Sequence, residues 1–456
     1  MQERKIPVAA VQLAAHDRDD FERQWHRIEA LADEAGKQGA KLIVLPEGTV
    51  PGYVLGTEPV DVQQLERASD AIAAVARRHQ ATIVYGGAKI VNDRTYNAAI
   101  AVGPDGRELG HAAKQFLWHF DRRWYAPGDA LEPVDSPVGR LGLLVCADGR
   151  IPTIAASLAD RGAELLVMPT AWVTSGRDPA ALENIQADLM VNVRARENGV
   201  PFIVANKSGV ELGSVAYCGK SAVVDAAGAF LARGGERDEA IVVAEARVGV
   251  RGPVARGAFV PAAIPGDAGA RARVAFTLAD APGDIARFAR LAGYADADVL
   301  IARGPAGAVG GPSHMALAGN PAGTVLEAGG VYAGVVDDEI LLSPRGLVRA
   351  RLAGLDCFLW QPGREDPDWN VRFARTRAAE LRAFVLVFEA RRRRAFVVDP
   401  DGMVAAGTFD DFQMASFVYD RARTAATTVA PTTDIFDGLR TAAAIGERAA
   451  VGTERA

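Results

Sequence analysis

This chain is poor in the residues that staple, ligate or anchor a protein. Its 456 residues include only three cysteines, Cys146, Cys218 and Cys357. That excludes a disulfide framework and points to a reducing, cytoplasmic setting. Its six histidines are scattered without ligand spacing, so the sequence supports no metal site. It carries no phosphate loop and no dinucleotide fingerprint, and no cofactor is expected. No apolar run is long enough to cross a bilayer. Residues 1–5 lead into a strand without the apolar core of a signal peptide. The net charge is −6, and the one strong basic run, residues 391–394, reads as a solvated turn. Neither nucleic acid nor a membrane is expected as a partner. Lysine stops at Lys220.

What is present is an alternation of short apolar runs and amphipathic segments. Residues 6–13, 42–45, 82–88, 98–102, 143–146, 165–168 and 202–205 read as buried strands. Between them lie helices: one after Asp19 or Asp20, with Phe21, Trp25, Ile28, Ala32 and Ala35 on one face, and others around 60–78, 153–161 and 179–197. Tight turns at 103–106 and 226–228 join neighbouring strands, which favours a mixed sheet layered with helices. Residues 251–272, rich in Gly, Ala, Pro and Arg, read as a linker.

Beyond the linker the pattern starts again. Residues 274–278, a helix over 282–294 and residues 299–301 echo the first strand, helix and second strand. Residues 331–334 echo 84–87, 340–348 echo 100–108, 357–362 echo 164–169, 384–388 echo 202–205, and 395–404 echo 222–230. Echoes in one order, about 260 residues apart at the start, indicate a tandem duplication. The second copy has Arg303 where the first has Glu47, and the strand that ends in Cys146 is expected to be missing from it. The expected organisation is a catalytic domain over 1–250, a linker over 251–272, a degenerate non-catalytic copy over 273–440 and a flexible tail over 441–456.

Three polar residues stand at or beside the ends of apolar runs: Glu47, Lys114 and Cys146. Each alone has an ordinary reading, as a capping or surface acid, a surface lysine and a core cysteine. Together they make chemical sense. A helix follows Cys146, and amides at a helix start favour thiolate. A partly desolvated carboxylate serves as its base. A lysine ammonium and a backbone amide stabilise the oxyanion that forms when sulfur attacks a carbonyl carbon. The product of that attack is a covalent thioester, cleared by water.

The motifs Leu45-Pro46-Glu47-Gly48, Lys114 ahead of Tyr125-Ala126-Pro127-Gly128, and Cys146-Ala147-Asp148-Gly149-Arg150 occur in this order. With Arg194-Ala195-Arg196-Glu197-Asn198-Gly199 and Gly219-Lys220-Ser221, they make residues 5–250 resemble the nitrilase superfamily of carbon–nitrogen hydrolases. The resemblance implies an α/β fold, a four-layer αββα sandwich, here duplicated in tandem. It implies a Glu47–Lys114–Cys146 triad with the Ala147 amide in the oxyanion hole. The family's second glutamate falls on Asp121, one methylene shorter, and His119 is a further candidate nearby. Trp172, Tyr53 and Arg177 are the substrate-binding candidates. Asp148 and Arg150 are read as fixing the turn rather than reacting.

The pair Ala147-Asp148, where nitrile-hydrolysing members tend to have Trp-Glu, looks like the amidase and carbamoylase branches. Pro152-Thr153 departs from the family's common Pro-Glu and weakens assignment to any one branch. The expected activity is hydrolysis of a small amide or N-carbamoyl compound. A nitrilase, a thioester-forming acyltransferase and a catalytically silent regulatory homologue are the alternatives. Because the superfamily commonly pairs its sandwiches, the two halves are expected to form an intramolecular pseudo-dimer, with further homo-oligomers open.

Overall fold

The computed structural model describes residues 3–174, 182–265, 269–304, 311–363, 366–408 and 414–453. The chain divides into two compact units, one of Met1–Pro253, Ala430–Thr433 and Gly438–Ala456, the other of Val254–Val429 and Asp434–Asp437.

The first unit is built on strand β1 (Arg4–Ala14), which is buried on both faces. Its alternation sends Ala9, Val11 and Leu13 into a cluster under helices α1 (Phe21–Lys37) and α2 (Val62–His79). The intervening Val8 and Ala10 are equally buried on the other face. β2 (Leu42–Val44) and β3 (Thr82–Val91) continue this sheet in parallel, and β4 (Arg94–Val102) and β5 (Glu108–Ala113) extend it antiparallel. The second sheet holds β6 (Leu141–Leu143), β7 (Leu165–Pro169), β8 (Phe202–Ala205), β9 (Ala222–Val224) and β10 (Phe230–Arg233). Helices α3 (Pro152–Asp160) and α4 (Val191–Asn198) pack on it, while β1, β2 and β3 face it from the first sheet. β11 (Ala240–Val248) returns to pair antiparallel with β1. The result is the αββα layering that the resemblance implies. At the helix starts, Asp61 caps α2 by accepting from the Gln63 and Gln64 amides, whereas Asp20 precedes α1 without a side-chain cap bond.

The second unit also has two sheets. In one, Arg271–Thr277 lies parallel to Val299–Ala302, which lies parallel to Ser313–Ala316, with Met414–Asp420 antiparallel on the other edge. In the other, Val331–Val336, Cys357–Trp360 and Phe384–Glu389 run parallel, followed by Arg394–Val398 and Val404–Thr408. Cys357 is buried in the core between them, as a structural cysteine should be.

Three expectations about this unit need correction. Residues 340–348, expected to echo the strand and turn of 100–108, meet helices Asp338–Leu341 and Val348–Leu352 instead. Ser313–Ala316, not 331–334, occupies the position of β3. Val331–Val336 lies beside Cys357–Trp360 as β6 lies beside β7, so the strand that leads to Cys146 has a counterpart after all. A pair of arginines fixes the register. Arg194 donates from Nε to the Gly149 carbonyl (2.9 Å), from Nη2 to the Arg150 carbonyl (3.2 Å) and from Nη1 to Glu197 (2.6 Å). Arg377 does the same to Leu341 (2.7 Å), Leu342 (3.2 Å) and Glu380 (2.5 Å). Leu341 thus matches Gly149, and Asp338 stands where Cys146 stands. Asp338 accepts from the Trp360 indole (3.0 Å) and the Gly363 amide (3.2 Å). Among the described residues, helix α2 and the β4–β5 hairpin, which in the first unit leads to Lys114, have no counterpart.

The stretch 441–456, read from its sequence as a flexible tail, is helical through Thr453. Helix Ile435–Thr453 buries Leu439, Ala442 and Ile445.

Candidate active site

Glu47, Lys114 and Cys146 are delivered by different elements. Glu47 follows β2, and its amide donates across to the Thr170 carbonyl beyond β7 (3.3 Å). Gly86 on β3 lies so close that an added Cβ would sit 2.4 Å from the Glu47 Cα. Lys114 is the first residue past β5, with its amide bonded to the Asn97 carbonyl on β4 (2.8 Å). Cys146 follows β6 and opens a short 3-10 turn, Cys146–Arg150, at φ +48. That left-handed backbone is unusual for a residue with a Cβ and lifts the side chain out of the strand direction.

The three side chains share one buried pocket of charge. Lys114 Nζ lies 2.8 Å from Glu47 Oε1 and 2.6 Å from Asp121 Oδ2, and all three side chains are fully buried. Asn97 Nδ2 also donates to Glu47 Oε1 (2.6 Å). Glu47 Oε2 has no hydrogen-bond partner among the described residues. Tyr53 donates its hydroxyl to Asp121 Oδ1 (3.2 Å), and its ring lies 5.9 Å from the ammonium.

Burial opposes the charge on Lys114, but Asp121 and Glu47 outweigh it and hold the ammonium well above the usual lysine range. It is a standing cation and cannot serve as a base. Burial pushes the Cys146 thiol well above the usual cysteine range, and the Glu47 carboxylate adds to this while Lys114 opposes it. The expectation of a helix-favoured thiolate is therefore overturned. Helix α3 starts only at Pro152, beyond the 3-10 turn, and burial dominates. The thiol is neutral at rest.

Asp148 is the stitch between the Cys146 turn and the segment that follows Lys114. Its Oδ2 accepts from the Val145 amide (3.0 Å), and its Oδ1 accepts from the amides of Gln115 (3.0 Å) and Phe116 (2.8 Å). This is the turn-fixing role read from the motif. Asp148→Asn turns one acceptor oxygen into an amide nitrogen against an N–H donor. It is expected to destabilise the protein by about 2–3 kcal/mol, read as a lowered denaturation midpoint at unchanged slope.

The remaining candidates have mixed fates. Asp121 is brought onto Lys114. Ala147 is buried in the nucleophile turn. Tyr53, read as a substrate-binding residue, has its hydroxyl committed to Asp121. His119 packs edge-on against Phe120, with ring centroids 4.7 Å apart. Trp172 is buried, and its indole donates to Gln186 (3.2 Å) when the Gln186 amide is oriented to donate to the Cys146 carbonyl (3.0 Å). Arg177 lies outside the described residues. Asn97 and Gln186 were not singled out from the sequence. Neither stands in a motif, and each reaches the site only through tertiary packing.

A four-layer αββα unit with a buried carboxylate, lysine and cysteine at its strand ends defines an α/β hydrolytic scaffold of the thiol type. The chain belongs to the carbon-nitrogen hydrolase family, which matches residues 7–256. It is 30% identical over 243 residues to an (R)-stereoselective amidase of Pseudomonas sp., covering 53% of this chain and 84% of that one. It is also 30% identical over 230 residues to a nitrilase of Pyrococcus abyssi, covering 49% and 83%. A solved amidase from Nesterenkonia sp. superposes with a TM-score of 0.48 at 27% identity, over 53% of this chain and 89% of that one.

Proposed function

We propose that this carbon–nitrogen hydrolase cleaves a small linear amide or N-carbamoyl compound through a thioester on Cys146. The observation that carries this reading is the division of labour around Glu47. One of its oxygens binds Lys114 and Asn97, and the other is buried without a partner. A carboxylate held in that way, beside a neutral thiol, is poised to take a proton.

In the first half-reaction, Glu47 takes the thiol proton as sulfur attacks the carbonyl carbon, and the carbonyl π pair moves onto oxygen. Lys114 faces that oxyanion as a preformed cation. The pair returns, the carbon–nitrogen bond breaks, and protonated Glu47 gives its proton to the departing nitrogen. In the second, Glu47 deprotonates a water that attacks the thioester, and the thiol is regenerated with the carboxylic acid. With Asp121 ionised, the site carries one net negative charge throughout. It moves from Glu47 to sulfur to oxygen and stays beside Lys114. No step requires a new charge to be buried.

Amidase names outnumber nitrilase among the relatives and favour an amide over a nitrile, and the buried Glu47–Lys114 pair favours a small substrate. The second unit reads as a silent copy from a tandem duplication, with Asp338 in the nucleophile position and no lysine arm among the described residues. Ammonia release over a panel of small amides, N-carbamoyl compounds and nitriles tests the assignment. Release from amides or carbamoyl compounds is expected. Consumption of nitriles with inert amides indicates a nitrilase. Preferential hydroxamate formation with hydroxylamine indicates an acyltransferase, and silence on all classes indicates a regulatory homologue.

A further inference from the structure

The family match ends at residue 256, yet the first unit includes residues 430–433 and 438–456 from the far end of the chain. These residues meet it beside the lysine arm. Thr433 Oγ1 accepts from the His119 amide (2.7 Å), and Thr432 Oγ1 donates to the His119 carbonyl (2.8 Å). Two consecutive hydroxyls thus satisfy both backbone groups of one residue. His119 has φ +47, in the left-handed region, and opens the 3-10 turn His119–Arg123. Asp121 lies in that turn. Its Oδ2 accepts from the Trp118 amide (2.9 Å) and contacts Lys114.

A second contact lies one step along. Gly438 approaches Phe116 and Ile151 so closely that an added Cβ would sit 2.7 Å from a side-chain carbon of each. Phe116 is bonded to Asp148 through its amide, and Ile151 closes the nucleophile turn by donating its amide to the Asp148 carbonyl (3.1 Å). The C-terminal segment therefore touches the two arms that Asp148 stitches together.

We infer that residues 430–433 and 438–453 act as a positioning strap of the catalytic unit, in which Thr432 and Thr433 hold the His119 turn so that Asp121 stays against Lys114. The inference rests on the triad reading above. Neither threonine touches the reacting atoms; they act through Asp121. An aspartate side chain is short, so its backbone must be placed closely for Oδ2 to reach the ammonium. A clamped left-handed residue two positions earlier supplies that placement.

The test uses the full-length protein. The double variant Thr432→Val/Thr433→Val keeps size and branching but removes both hydroxyls, and Thr432→Ser/Thr433→Ser restores them. The valine variant is expected to lose about tenfold in kcat, with KM within about twofold, and the serine variant to recover most of it. Hydrogen exchange over residues 117–125 is expected to quicken in the valine variant alone. Unchanged kcat and exchange in the valine variant, with Cys146→Ala inactive, overturn the strap and leave the triad standing. Equal losses in both variants also overturn it, since the effect then does not follow the hydroxyls. Turnover by Cys146→Ala overturns the triad and the inference with it.

Discussion

Cys146→Ala is expected to abolish amide turnover, a loss of at least about 10⁴-fold in kcat, while the fold survives. The loss follows from geometry. The other two cysteines are buried and serve elsewhere: Cys218 packs beside Asn206, and Cys357 lies in the core of the second unit. Neither can replace the attacking sulfur. The fold survives because the nucleophile turn is held by Asp148 through backbone amides and by Arg194 through backbone carbonyls. Alanine accepts the left-handed backbone about as poorly as cysteine, so no strain is added. Ammonia release and thermal unfolding of the same preparation check both halves. Residual turnover near the wild-type rate removes Cys146 from the mechanism.

Lys114→Met is expected to be the most destabilising single change in the site. It leaves Glu47 and Asp121 buried together with no cation between them. Removing one partner of a buried ionic cluster typically costs about 3–5 kcal/mol. The pH dependence gives the mechanism away. In the wild type the raised lysine pKa contributes stability that is complete below the ordinary lysine pKa and is lost only as pH climbs through the raised native value. Its contribution is therefore undiminished near neutrality. In Lys114→Met two buried carboxylates face each other with no cation between them, so desolvation and like-charge repulsion oppose the doubly charged site, and raising the pH adds to that penalty. The deficit in unfolding temperature is expected to be larger at about pH 8 than at about pH 5. A deficit that grows towards acid instead contradicts the buried two-carboxylate arrangement.

Much of the first unit was legible in its residues, because its strands are buried on both faces and read as apolar runs. The motif order placed Glu47, Lys114 and Cys146 on separate strand ends, and the structure brings Lys114 onto Glu47 and Cys146 under the influence of both. The protonation state was not legible. A dipole argument made along the chain favours thiolate, whereas burial, a property of the assembled layers, decides for the thiol. The second unit shows a different limit. Val331–Val336 resembles β3 in composition but pairs with Cys357–Trp360 as β6 pairs with β7, because short apolar strands are nearly interchangeable by sequence. Only the partners of Arg377 set the register and put Asp338 in the nucleophile position. The C-terminal threonines were invisible for the same reason: a hydroxyl that clamps a turn 314 residues away leaves no local periodicity.

The thioester itself is the most direct test. Glu47→Gln keeps the side-chain shape and the oxygen that accepts from Asn97 and Lys114, but removes the base. It also removes a negative charge that pushes the thiol up. A small p-nitrophenyl ester has a leaving group that needs no proton, so acylation slows but proceeds with the thiol proton passing to solvent or to p-nitrophenolate, while deacylation lacks its activated water. Intact-mass and peptide analysis of Glu47→Gln after exposure to such an ester is expected to show one acyl group, on Cys146, released by hydroxylamine. No adduct, or an adduct on another residue, contradicts a thioester mechanism at this site.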